Sequence, residues 1–137
     1  MDKLNDFLKT KEFDSTINLV SNEFINNVQS ITNIKFGVQL REYILKYGYI
    51  GYKFLELYGI NSKQGMNSDL IKQTLYLHQY FESTKQYYAL SNEGDGEYIL
   101  INSEDIIFSF DSDTNEIISL DTKLEDYLIN TMKQMEA

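Results

Sequence analysis

The chain has 137 residues, a length typical of one domain with a single hydrophobic core. Its 42% apolar and 14% aromatic residues exclude a disordered chain, and the lack of cysteine excludes disulfides and thiolate metal sites. The formal net charge of -9 disfavours binding to nucleic acid, because phosphate binding depends on lysine and arginine. The same charge would attract a basic protein, although it also serves simply to keep a small domain in solution.

The N-terminal segment suggests neither a signal peptide nor a membrane anchor. Residues 1–6 lack a basic stretch followed by an apolar one, and no run of eighteen apolar residues occurs in the sequence. We therefore expect no membrane contact and a cytoplasmic location. The chain has no proline, no repeat and no visible linker, so we expect a single domain over residues 1–137.

Helical periodicity is first seen between Asp14 and Ile31, where apolar residues recur every three or four positions. These residues are Ile17, Val20, Phe24, Val28 and Ile31. Asp14 or Ser15 is expected to cap the start of this helix. A second helix is predicted over 38–47, ended by Gly48 in a left-handed conformation. Its inward-facing residues are predicted to be Leu40, Ile44 and Tyr47.

The segment 49–59 is rich in aromatic and β-branched residues between glycines, which predicts one or two short strands. Its alternation slips near Phe54 and Leu55, as a turn or a bulge would produce. Helical spacing returns over 67–81, with Ser68 or the asparagine before it as the expected N-cap. The inward face of this helix is predicted to consist of Leu70, Thr74, Leu77 and Phe81.

Alternation with a period of two then gives four short runs, which predict an antiparallel meander. The alternating residues are Tyr88 and Leu90, Tyr98 and Leu100, Ile106, Phe108 and Phe110, and Ile118 and Leu120. Gly94 and Gly96 permit a tight hairpin between the first two runs. A final helical stripe consists of Leu124, Tyr127, Leu128, Met132 and Met135. The order of elements predicts an α+β fold with helices packed against a central antiparallel sheet.

Two polar segments resemble ligand-binding loops. Asp111–Asn115 has the alternating oxygen-bearing side chains of a calcium loop, but Glu116 and Thr122 occupy the positions that need glycine and a bidentate glutamate. The triplet 94–96 lacks the lysine and hydroxyl partners of a phosphate loop. Both segments are therefore predicted to be hairpin turns, and the acidic residues around the second one are suited to a basic protein partner.

The sequence offers little to support catalysis. His78 is the single histidine, so a multi-histidine metal site is excluded, and its place on a helix flank favours a structural role. No nucleophile elbow and no reactive cysteine occur. Carboxylate pairs are uninformative among 21 acidic residues. We therefore expect no enzyme activity, no cofactor and no metal.

Tyrosine is abundant, with 11 residues and no tryptophan in the chain. One group surrounds the first strands and another the junction of helix and meander. The groups are Tyr47, Tyr49, Tyr52 and Tyr58, and Tyr76, Tyr80, Tyr87 and Tyr88. Such residues fill half-buried sheet faces and also anchor protein interfaces, so both interpretations stay open.

Several short motifs, in order and spacing, resemble the SUKH superfamily, which includes fungal Smi/Knr cell-wall-synthesis regulators and many bacterial immunity proteins. The motifs are Leu45-Lys46-Tyr47-Gly48, Leu57-Tyr58-Gly59, Asn92-Glu93-Gly94-Asp95-Gly96, Tyr98-Ile99-Leu100-Ile101-Asn102 and Leu124-Glu125-Asp126-Tyr127-Leu128. The resemblance covers roughly residues 14–130. The chain departs from the family pattern at Phe36-Gly37, where a leucine-proline pair is common, and in having no tryptophan.

The resemblance implies a non-catalytic α+β protein that, in bacteria, binds and blocks a cognate toxin, often a nuclease. A nuclease is a basic partner, since it must hold phosphate. The predicted partner-binding residues are Glu93, Asp95, Glu97, Glu104 and Asp105, with Asp111, Asp113 and Glu116 as outer members. The abundance of asparagine, isoleucine, lysine and tyrosine is typical of an AT-rich bacterial genome. The alternatives are a regulatory scaffold for a cellular partner and, less favoured, a small-ligand or metal-dependent enzyme.

Overall fold

In a computed structural model of the chain, residues 1–16 and 20–136 are described. This part of the chain forms five α-helices and seven β-strands. The helices are α1 (Asp2–Leu8), α2 (Asn22–Thr32), α3 (Val38–Lys46), α4 (Asp69–Tyr80) and α5 (Leu124–Met135). The strands are β1 (Asp14–Ser15), β2 (Ile50–Tyr52), β3 (Leu55–Glu56), β4 (Tyr88–Gly94), β5 (Glu97–Ile101), β6 (Ile106–Asp111) and β7 (Glu116–Lys123).

The strands form two antiparallel sheets, so the fold is α+β as predicted, but the prediction of one central sheet is not confirmed. One sheet has the order β1-β2-β3 and the other is the meander β4-β5-β6-β7. The Tyr58 amide donates a hydrogen bond to the Leu90 carbonyl at 2.6 Å, which ties the chain after β3 to the outer edge of the meander. The two sheets are thus neighbours that share one hydrophobic core.

The prediction of a helix starting at Asp14 was wrong. Asp14 and Ser15 pair with β2 instead, and the helix begins only at Asn22, where the Ser21 hydroxyl accepts a hydrogen bond from the Phe24 amide at 3.1 Å. Val20 and Val28 are buried as expected, whereas Ile31 is exposed. Ile17 lies outside the described residues.

The other predicted elements are confirmed with small changes at their ends. Helix α3 ends beside Gly48, whose φ of 66° is the expected left-handed stop. The predicted slip near Phe54 is a turn between β2 and β3, with Lys53 at φ 53°. Helix α4 starts after Ser68, although the Ser68 hydroxyl donates to the carbonyls of Asn61 and Gly65 and does not cap the helix.

The meander is covered on both faces. On one face, Ile99, Ile101 and Ile107 join Leu124 and Leu128 of α5 in the larger core cluster. On the other face, a smaller cluster joins Leu77 of α4 to Ala89, Leu100 and Phe110 of the sheet. Burial of this apolar area from both sides is the main stabilisation of the domain. The turns at the two ends of the meander lie outside these two clusters and carry charged residues.

Two glycines of the family-like motifs lie against each other. The backbone carbonyl of Gly48 accepts a hydrogen bond from the Ile60 amide at 3.0 Å. A Cβ added to Gly59 would overlap the Gly48 carbonyl and crowd the Cβ of Tyr49. The motifs ending in Gly48 and Gly59 are therefore two halves of one close backbone contact between the end of α3 and the irregular segment after β3.

Candidate partner-binding surface

Most of the predicted partner-binding residues lie at one end of the meander. The β4–β5 and β6–β7 turns meet there, because alternate turns of a meander lie at the same end. We call this region the acidic end and define it as Glu93, Asp95, Glu97, Asp111, Asp113 and Glu116. All but Asp111, which is half-buried, are exposed.

Backbone contacts hold the two turns of the acidic end together. The Ser112 amide and its hydroxyl both donate to the Gly96 carbonyl, each at 2.9 Å. The Asp113 amide donates to Asp111 Oδ1 at 2.8 Å, which shapes the second turn. Asp95 and Gly96 have φ values of 52° and 81°, the left-handed conformation that a tight hairpin needs. The carboxylates are thus displayed on fixed backbone.

The strand register places three carboxylates side by side. Glu97 lies opposite Asp111, and Asp111 lies opposite Glu116. Directly opposed like charges destabilise a sheet. None of the carboxylates of the acidic end is within 4.0 Å of a cationic group in the described part of the chain. Burial raises the pKa of Glu93, and the nearby Glu97 raises it further. The acidic end therefore holds repelling charges that the fold itself does not neutralise.

An exposed apolar residue of the predicted meander lies beside this row. Ile118 is 57% exposed. It lies two residues beyond Glu116 on the edge strand β7, so both side chains are on the same face. Helix α5 covers this face further along and contributes Tyr127, whose pKa is raised to about 12 by burial and by the charge of Glu93. The sequence pattern places Ile118 among the alternating apolar residues of β7. It is exposed because α5 does not cover this part of the face.

The remaining two predicted residues lie at the opposite end of the meander. They are in the β5–β6 loop, and β5 spans five residues, or about 15 Å of extended chain. Glu104 is exposed and lines a cleft of about 430 Å³ with Asn33, Lys35 and Gln86. It is not brought together with the acidic end.

Asp105 does not belong to a partner-binding surface, and this prediction is corrected. The residue is 5% exposed, and its two carboxylate oxygens accept hydrogen bonds from the amides of Gln39 and Leu40, both at 2.9 Å. These are free amides of the first turn of α3. A Cβ on Gly37 would overlap the Asp105 carboxylate, so the glycine at this position makes room for the cap. Asp105 therefore stabilises α3.

The Asp105 cap is the first of three caps between distant elements. Gln39 Oε1 accepts a hydrogen bond from the Glu125 amide at 2.8 Å, which caps α5. Glu125 Oε2 in turn accepts one from the Leu4 amide at 3.1 Å, which caps α1. We call Asp105, Gln39 and Glu125 the capping relay. Each member satisfies an otherwise unpaired amide of another element and holds three helix starts together.

The other sequence motifs have structural roles. Asp111–Asn115 forms the β6–β7 hairpin, as predicted, with Asn115 at φ 61°. The ring of His78 contacts the Tyr87 carbonyl through Nε2 at 2.9 Å. Within residues 1–16 and 20–136, no group of three or more acidic or histidine side chains is arranged to hold a metal ion. None of the helices in the same ranges is long and apolar enough to cross a membrane.

The tyrosines divide between the two interpretations. Tyr43, Tyr47, Tyr52 and Tyr88 are buried in the core. Tyr88 is held by its hydroxyl, which hydrogen-bonds to Thr32 Oγ1 at 2.7 Å and donates to the Ile34 carbonyl at 2.6 Å. Tyr76 and Tyr80 are 47% and 62% exposed. Core packing thus explains most of the group, and this pair is left on the surface.

The meander, the covering helices and the acidic turns define a small α+β domain with no assembled metal centre in the described residues. The family model SUKH_5, described as SMI1-KNR4 cell-wall, matches residues 1–133. The chain therefore belongs to the SUKH superfamily, which confirms the resemblance seen in its motifs. A comparison with curated proteins finds no match.

Proposed function

We propose that this protein is a bacterial immunity protein that binds and neutralises a cognate toxin through its acidic end. Membership of the SUKH superfamily is consistent with this role. The observation that carries the proposal is the row Glu97, Asp111 and Glu116, which places like charges on adjacent strands without an ion pair to any described residue. A basic partner would relieve this repulsion.

The exposed Ile118 adds an apolar contact beside the charges. Interfaces commonly join an apolar centre to a polar rim, and the centre supplies most of the affinity. A basic toxin such as a nuclease fits the charge of this surface, since its own active site must attract phosphate. We propose that the protein acts by binding alone, without catalysis. We place it in the cytoplasm, where disulfides rarely form and a chain without cysteine is at no disadvantage.

A regulatory scaffold is the second candidate function, favoured by the cell-wall description of the matching family model. Co-expression with the product of a neighbouring toxin-like gene separates the two candidates. An immunity protein restores growth and co-purifies with the toxin in a stoichiometric complex. Continued toxicity with no complex would contradict the immunity role for that pair and favour a cellular partner.

Neutralising the row of carboxylates is expected to weaken toxin binding without harming the fold. In the variant Glu97→Gln, Asp111→Asn, Glu116→Gln, the polar atoms that shape the turn are kept, including an oxygen that can accept from the Asp113 amide. We expect the Kd for the co-purifying toxin to rise at least about tenfold, since opposed charges across interfaces contribute this much together. Relief of like-charge repulsion should leave the free energy of unfolding unchanged or raise it by about 0.5 kcal/mol.

Glu104→Gln is the matched control, because it removes one exposed carboxylate at the opposite end of the meander. Its Kd is expected to stay within about twofold of the wild type. Calorimetric titration and urea unfolding give the two quantities. If Glu104→Gln, which removes one charge, raised log Kd by a third as much as the triple variant, overall charge and not the acidic end would govern binding.

A further inference from the structure

An aromatic patch lies next to the acidic end on the other face of the meander. Tyr76 and Tyr80 are one turn apart on α4, and their ring centroids are 5.0 Å apart with an interplanar angle of 51°. Both are substantially exposed. Tyr98 of β5 is half-buried between this pair and the core, where its ring lies 6.3 Å from that of the buried Phe110. We call Tyr76, Tyr80 and Tyr98 the tyrosine patch.

The patch is continuous from the core to the solvent. Phe110 also packs edge-on against Phe81, the residue that follows α4, with centroids 5.2 Å apart. Tyr98 packs against the smaller core cluster, which contains Leu77 of α4, the residue that follows Tyr76. Burial raises the pKa of Tyr98, and the nearby Tyr76 raises it further. Tyrosine side chains have few rotatable bonds, so the exposed rings would lose little entropy on binding.

The tyrosine patch and the acidic end are adjacent in β5, where one residue of each stands next to the other in sequence. Tyr98 directly follows Glu97, and the two side chains point to opposite faces of β5. The tip of the hairpin, with Asp95, lies beyond them. A partner segment that crosses this tip would meet carboxylates first and aromatic ring faces next. Arginine suits both environments, because its planar guanidinium pairs with carboxylates and stacks on aromatic rings.

We propose that the tyrosine patch is a subsite for arginine side chains of the basic partner protein. This inference rests on the proposed function and names the chemistry of the partner at one part of that surface. The partner segment must carry arginine. A segment with lysine would gain less binding free energy, because a compact ammonium group stacks poorly on aromatic rings and is more strongly hydrated. A preference for arginine over lysine is therefore the signature of the subsite.

Calorimetric titration with hexa-arginine and hexa-lysine peptides at low ionic strength tests this signature. We expect wild-type protein to bind the arginine peptide about fivefold more tightly than the lysine peptide. In the variant Tyr76→Leu, Tyr80→Leu, which keeps apolar side chains on α4, the affinity for hexa-arginine should fall about fivefold and the affinity for hexa-lysine by less than twofold. Tyr80→Phe should retain the preference, because the ring face is kept.

Leu75→Ala is the matched control, since Leu75 is exposed at 39% on the same helix and outside the patch. It should leave both affinities unchanged. Equal affinities of the wild type for the two peptides, or a preference that survives in the double leucine variant, would overturn the proposal.

The acidic end is tested separately with the same peptides. Its triple neutral variant should weaken both peptides alike and keep the preference for arginine. Unchanged affinity for both peptides in this variant, or failure of toxin neutralisation in co-expression, would count against the proposed function and not against the subsite. Loss of the arginine preference in this variant would count against the subsite.

Discussion

Asp105→Ala is expected to lower the free energy of unfolding by about 2–4 kcal/mol, one of the two largest effects that we predict. The substitution leaves the buried amide of Leu40 and the partly buried amide of Gln39, both in α3, without their charged acceptor. It also puts alanine at a φ of 65°, which favours glycine, asparagine and aspartate. The midpoint of urea unfolding, with an unchanged slope, measures this loss.

Two variants separate the cap from the loop that carries it. Asp105→Asn keeps one acceptor and tolerates the left-handed backbone, so its loss should be about half as large. Glu104→Ala, next in the same loop but exposed, should stay within about 0.5 kcal/mol of the wild type. If Asp105→Ala were as mild as Glu104→Ala, the carboxylate would not be capping α3 in solution.

Gly59→Ala should be at least as damaging, with a loss of about 3 kcal/mol or more. The added methyl group would meet the backbone carbonyl of Gly48, which cannot rotate away as a side chain would. The chain would have to separate there and would give up the hydrogen bond from the Ile60 amide. Thermal and urea unfolding measure the loss, and near-ultraviolet circular dichroism shows whether tyrosine packing survives.

Gly94→Ala distinguishes steric overlap from backbone strain. Gly94 has a φ of 88°, but a Cβ there would meet nothing within 4 Å. Alanine at this position should cost about 1–2 kcal/mol, from strain alone. If Gly59→Ala lowered the free energy of unfolding by less than Gly94→Ala, the backbone at Gly48 and Gly59 would be able to separate at little cost.

Sequence periodicity predicted α3, α4 and α5 because each of these helices buries one face, and the glycine after α3 lies where it was expected. The meander strands were predicted although both faces of the sheet are covered, because their apolar residues still alternate in the sequence. The start of α2 was missed because the apolar residues before Ser21 keep a helical spacing although Asp14 and Ser15 pair with a strand. Spacing cannot detect a strand partner that lies 35 residues further along the chain.

The candidate site was predictable only in part. Acidic residues of the β4–β5 turn and those of the β6–β7 turn were both identified in the sequence, but their meeting follows from the register of three strands. Asp105 looked like one more acidic loop residue, because a capping carboxylate and a solvated one have the same local sequence. The exposure of Ile118 could not be predicted, because alternation gives the face of a strand but not the extent of the helix that covers it.

The acidic end presents charged side chains to the solvent and contributes little to the stability of the fold. The capping relay and the contact between Gly48 and Gly59 stabilise the framework. The residues of the acidic end lie outside the two core clusters, and its shape comes from backbone hydrogen bonds at Gly96 and Ser112. The exposed side chains there can change in charge with little penalty in folding, apart from Asp95 and Asp111, which shape the two turns. Lineages of this protein are therefore free to exchange one recognition surface for another at the turns, and variation among relatives should concentrate there while Gly59 and Asp105 stay fixed.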